Sequence, residues 1–137
     1  MTAANLRSIN KRFAAVPDAV RSEVKVALAK SADELVAMMK RLVPVDEGDL
    51  RDSIGWTWGA APKGTVKVGG VDAGAKDLAV TVFAGGPGAY HAHLVEFGTV
   101  KSAAQPYFLP AWRALRTRIR RRIATAVSKG VKKAWNR

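Results

Sequence analysis

The sequence predicts an α+β fold: a long N-terminal amphipathic helix, a small antiparallel β-sheet and a C-terminal basic helix. Three observations predict it. Apolar residues between Val20 and Leu42 recur at three- and four-residue steps. Two later stretches, 54–58 and 78–84, alternate with period two. From Pro110 onward helical spacing returns, now rich in arginine. The order helix, strands, helix favours helices packed on an antiparallel sheet.

The first helix carries the strongest pattern. Val20, Val24, Ala27, Leu28, Ser31, Leu35, Met38, Met39 and Leu42 fill about a third of a helical wheel. Glu23, Lys30, Glu34 and Arg41 lie on other faces. Pro17 suits a first helical turn, and Pro44 ends the helix beyond Leu42. A shorter, looser helix is expected over 4–15, where Leu6, Ile9 and Phe13 share a face.

Asp46-Glu47-Gly48-Asp49 has turn chemistry. Ile54, Trp56 and Trp58 then alternate with Gly55 and Thr57, which predicts a strand with aromatics on one face. Gly59 to Gly64 reads as a loop. Val66 and Val68 continue with period two, and Gly69-Gly70 are expected to stop them. In the strand Leu78 to Ala84, Val80 and Val82 oppose Thr81 and Phe83. Gly85-Gly86-Pro87-Gly88 reads as another loop.

The last helix is expected to start at Pro110, with Trp112, Leu115, Ile119, Ile123 and Ala126 on one side. Val127, Val131 and Trp135 keep a strict four-residue step, so they drift around the axis by about 40° each time. Ser128-Lys129-Gly130 reads as a stop signal. Residues 131–137 are therefore expected to leave the core and fray or meet a neighbouring subunit. The expected core joins Leu35, Met38, Leu42, Val80, Val82, Phe97, Leu115 and Ile119.

A chain of 137 residues fits a single domain, 1–137, with a real core. It has no cysteine, which excludes disulfides and thiolate metal sites. Met1 to Val16 lacks a signal-peptide apolar run, and no window is apolar enough to cross a bilayer. A soluble protein made inside a cell, with no membrane partner, is expected. The net charge of +12 is uneven. Residues 1–96 hold 12 Lys/Arg and all 11 Asp/Glu; residues 97–137 hold 11 Lys/Arg and no acid. A nearly neutral body thus carries a cationic tail, which suits a polyanion or an acidic partner surface.

Two punctuated segments bracket the β-rich middle. One runs Val43-Pro44-Val45-Asp46-Glu47-Gly48-Asp49-Leu50-Arg51-Asp52-Ser53-Ile54. The other contains Glu96-Phe97-Gly98-Thr99 and then Gln105-Pro106-Tyr107-Phe108-Leu109-Pro110-Ala111-Trp112. Their order and spacing resemble the head–tail connector family of long-tailed bacteriophages, the small tail-completion or neck proteins. The resemblance covers residues 20 to 115. Glu47 is a departure, since the family usually has a small hydroxyl residue there. The resemblance implies that Pro44, Asp46, Gly48, Leu50, Arg51, Ser53, Glu96, Phe97, Gly98, Thr99, Pro106 and Pro110 form a structural motif. It also implies an oligomeric adaptor without catalysis.

No enzyme constellation competes with this. His91 and His93 point about 200° apart on a helix, and on a strand Glu96 faces elsewhere, so no metal is expected. Gly59-Ala60-Ala61-Pro62-Lys63-Gly64-Thr65 lacks the phosphate-loop order, and strand rather than helix follows it. Asp46, Glu47, Asp49 and Asp52 crowd one turn, where acids serve solvation and capping. Glu96 has apolar neighbours and needs a partner, for which Arg51 is the candidate. No cofactor is expected.

The basic helix carries Arg113, Arg116, Arg118, Arg120, Arg121, Arg122, Lys129, Lys132 and Lys133, with Arg137 beyond. Of these, Arg116, Arg118, Arg120, Arg121 and Arg122 are candidates for contact with DNA or an acidic partner. The expected function is a virion structural protein, made in the host cytoplasm, that forms a homo-oligomeric ring at the phage neck. Its partners would be itself, the head-connector and tail-tube or terminator proteins, and DNA passing through the ring. The alternatives are a non-specific nucleic-acid-binding protein, a terminator or stopper role at the same junction, and a small metal-dependent nuclease using His91 and His93.

Overall fold

The computed structural model describes the backbone of residues 3–43, 48–73, 76–85 and 106–136, and the side chains of 17–43, 50–73, 77–85 and 106–136. Helix α1 spans Ala3–Leu42. A single-turn helix α2, Gly48–Ser53, leads into strand β1, Gly55–Trp58. Strand β2 is Val66–Asp72, and a 3-10 turn at Lys76–Leu78 precedes β3, Ala79–Ala84. Helix α3, Phe108–Trp135, closes the described chain. The fold is α+β, as the element order predicts.

The sheet runs β1-β3-β2, with both outer strands antiparallel to β3. Trp56 lies opposite Val82 and Trp58 opposite Val80. The apolar alternation of β3 puts Val80 and Val82 into the core, where they meet Leu28, Leu35, Met39, Leu115 and Ile119. Burial of this kind contributes roughly 25 cal/mol per Å² of apolar surface.

Five sequence expectations about boundaries change, and each turns on a glycine, a proline or a helix end. Pro17 lies inside α1, not at its start, so 3–42 is one continuous helix. An interior proline costs about 3 kcal/mol, and the packing of α1 along α3 is what offsets it. Gly69-Gly70 do not stop β2; the strand runs through them with a bulge between Lys67 and Gly69. A β-carbon on Gly69 would lie 2.1 Å from the Phe108 ring, and one on Gly70 would lie 2.4 Å from the Val80 carbonyl oxygen. The two glycines let the strand pass under an aromatic ring and against its neighbour.

Gly130 likewise does not end the last helix. A β-carbon there would sit 2.5 Å from the Val20 Cα, so at Gly130 α3 lies directly against the α1 backbone. Residues 131–135 stay on the core through Ala134, which is fully buried. Leu42 is exposed rather than core, because α1 ends there and Val43 turns inward in its place. Helix α3 also starts two residues before Pro110, which falls in the first turn, where an N–H has no helical partner. Met38 is only partly buried against the core, and Phe97 lies outside the described residues.

Candidate functional site

The first motif segment is a structural joint. Leu50 and Ile54 are buried in the core. Between them, the Ser53 hydroxyl donates to the Leu50 carbonyl at 2.7 Å and accepts from the Gly85 N–H at 2.8 Å. Ser53 thus ties α2 to the end of β3. Gly85 adopts φ +90°, a conformation that glycine takes without steric cost. Arg51 is half-buried, and its Nε is buried with no hydrogen-bond partner among the described residues. The expected partner Glu96 lies outside the described residues, as do Pro44, Asp46, Phe97, Gly98, Thr99, His91 and His93. Gly48 opens α2.

The second segment anchors α3. Tyr107 is fully buried and Phe108 nearly so, while Pro106 and Pro110 are half-buried around them. The aromatic pair at this entry therefore fixes where the basic helix starts. On β1, the Trp56 Nε1 donates to Asp33 Oδ1 at 2.8 Å and ties the strand to α1. Trp58 stacks edge-on against Trp56 with centroids 5.4 Å apart, and stays partly exposed.

The basic helix divides into two faces. Its inner face packs along α1, running antiparallel to it. Arg122 is half-buried, donating to Glu34 Oε1 at 2.6 Å and to the Ser31 hydroxyl at 3.0 Å. Arg118 stands 3.7 Å from the other Glu34 oxygen, too far for a hydrogen bond. Lower down, Lys133 bonds Glu23 Oε1 at 2.5 Å, with Lys129 3.9 Å from Oε2. The hydrogen bond from Lys133 holds the Glu23 carboxyl below its ordinary range, helped by the charges of Lys133 and Lys129 and opposed by burial. Two residues before Glu23 on α1, Arg21 pairs with Asp77 and lowers its carboxyl in the same way.

These inner pairs follow a repeat that charge counting alone misses. Glu23 and Glu34 are eleven residues apart, as are Arg118 and Lys129, and Arg122 and Lys133. Eleven residues make about three helical turns, so each set shares a face. That spacing is the signal that could have found the clamp.

The outer face is different. Arg113, Arg116, Arg120, Arg121 and Lys132 are exposed and have no ion pair among the described residues. Of the five candidate contact residues, Arg116, Arg120 and Arg121 lie here, Arg122 belongs to the clamp, and Arg118 is exposed at its edge. Val127, Val131 and Trp135 are exposed at 40%, 42% and 43%. Among the described residues no group of His, Asp and Glu could hold a metal, and no helix is long and apolar enough to cross a membrane.

The family described as "Bacteriophage HK97-gp10, putative tail-component" matches residues 7–98. The chain belongs to this family. The match spans most of α1, the α2 joint and all three strands. It stops before α3, so the basic helix lies beyond the matched residues of this tail-component chain. No curated protein and no solved structure matches it.

Proposed function

We propose that the chain is a virion structural protein that forms a homo-oligomeric ring at the phage neck and joins the head connector to the tail. The observation that carries this is membership of a phage tail-component family over residues 7–98. The built features are consistent with such a role. The motif residues Leu50, Ser53 and Tyr107 hold the fold together rather than opening a reactive pocket. The chain acts without catalysis, cofactor or membrane, and works in the virion after synthesis in the host cytoplasm. A terminator or stopper at the same junction would use the same architecture.

The unpaired outer cations support a second reading, contact with DNA threading the ring. The residues favoured for that are Arg116, Arg120 and Arg121, because Glu34 already neutralises Arg122 and draws on Arg118. Binding of this kind would fall steeply with salt. The test is electron microscopy of particles made without the protein. Separate filled heads and finished tails are expected. Complete, infectious particles would overturn the proposal.

A further inference from the structure

Over residues 113–121, the outward face of α3 consists of Arg113, Arg116, Thr117, Arg120 and Arg121. At 100° per residue these positions fall within an arc of about 140° and extend about 12 Å. All are exposed, and none of the four arginines has an ion pair among the described residues. Four guanidinium groups this close repel one another unless an anion lies against them. Farther along the helix the same arc changes character. There it holds Ala124, Val127, Ser128, Val131 and Trp135, without a charge. Only the first half of the face therefore needs an anion.

Three features identify that anion. First, the arginine block presents no large apolar side chain on its face. An acidic protein partner would need an apolar centre to its contact, whereas contacts with nucleic acid are polar and strongly positive. Second, every arginine of α3 lies between 113 and 122, while its last turns carry Lys129, Lys132 and Lys133. The planar fork of arginine matches phosphate oxygens two at a time, which a lysine ammonium cannot do. Third, no aromatic side chain lies on the face of the block, and Trp112 packs against the core. Single strands are held by bases stacked on aromatic rings, so the face suits a duplex. About 12 Å of duplex axis carries about seven phosphates, so each arginine meets one in any register.

We infer that this arginine block is a sequence-independent binding site for the phosphate backbone of duplex DNA, complete within one helix of one protomer. The site rests on the DNA reading above but does not need the ring. It lies outside residues 7–98, so it belongs to this chain's last helix and not to the matched body of the family.

The test is fluorescence anisotropy of a mixed-sequence DNA duplex titrated with the purified full chain over a range of salt. Helicity and melting are recorded for each variant. Four phosphate contacts give a fall of log affinity with log salt at a slope of about −3.6. R116Q/R120Q/R121Q should bring that slope to about −0.9 and weaken binding roughly a hundredfold or more at low salt, with helicity and melting unchanged. R116K/R120K/R121K keeps the charge, so it should keep the slope and bind within about tenfold of wild type. A duplex of unrelated sequence should bind within about threefold, and a single strand of equal length roughly tenfold more weakly. Wild-type binding that ignores salt, or a glutamine variant that binds as tightly as wild type, overturns the site. Equal binding of the single strand, or strong preference for one sequence, overturns it as well. A wild-type chain that binds no duplex, together with a glutamine variant that fails to complete particles, would assign the face to an acidic protein and overturn the inference. Affinity is read on the free chain, so complete particles made without the protein would remove the neck role and leave the site standing.

Discussion

Arg120 and Arg122 are two positions apart on one helix and live in different worlds. Arg122 is half-buried, bonded to Glu34 and Ser31. Arg120 is exposed with no ion pair among the described residues. The inner face of α3 also carries small residues, Ala126, Gly130 and Ala134, that let α1 approach, whereas the outer face carries Val127, Val131 and Trp135 in water. The difference teaches that a run of like charges is not one feature. Its members are sorted by what stands across from them: among the described residues, the α1 acids that pair with α3 are Glu23 and Glu34. Inner-face residues should therefore answer to stability, and outer-face residues to binding.

The largest expected effect is on the inner face. Ile119→Ala removes a fully buried core side chain and should cost about 2–5 kcal/mol by lost transfer energy and a cavity. A denaturant melt checks it; a change near zero would mean that the two faces of α3 do not differ in packing. Gly130→Leu comes next. Its side chain must push the Val20 backbone away, so about 3 kcal/mol is expected, the upper end of ordinary overpacking. A tolerated leucine would show that the helices do not cross there. Arg122→Gln should cost about 1.5 kcal/mol, near the low end for hydrogen bonds to charged groups, because Arg118 remains beside Glu34.

A smaller effect is expected from acid. The folded Glu23 carboxyl lies below its usual value, so its contribution is fully present above the unfolded value and lost as pH falls through the folded one. Melting temperature should drop on acidification, and Glu23→Gln should flatten that drop. The same acid response in both proteins would remove the lower clamp as its cause.

The periodic elements were legible in the sequence: the core face of α1, the alternation of β3 and the apolar side of α3 all follow from spacing. The punctuation was not. Pro17, Gly69-Gly70 and Gly130 read locally as boundaries, and each lies inside an element. Gly69 and Gly130 accommodate a Phe108 ring and an α1 backbone that come from distant parts of the chain. Local rules see the missing side chain and not the neighbour that requires its absence. The candidate contact residues were legible as a set, since the acid-free arginine run is plain. Their division was not, because it depends on Glu23 and Glu34 lying across an antiparallel crossing. The eleven-residue spacing hinted at it. Ser53 as a staple between α2 and Gly85 could not be read from spacing at all.

The most direct measurement compares Arg120→Gln with Arg122→Gln in two assays, denaturant melting and duplex-DNA binding at low salt. Gln and Arg have similar helix propensities, so helix formation itself is held constant. Arg120→Gln should melt within about 0.5 kcal/mol of wild type, as surface changes usually do, and should weaken duplex-DNA binding. Arg122→Gln should lose stability, with the outer face and its DNA contact intact in whatever remains folded. Equal losses of stability in the two variants, or unchanged DNA binding in Arg120→Gln, would contradict the division of α3 into a face that folds the chain and a face that binds DNA.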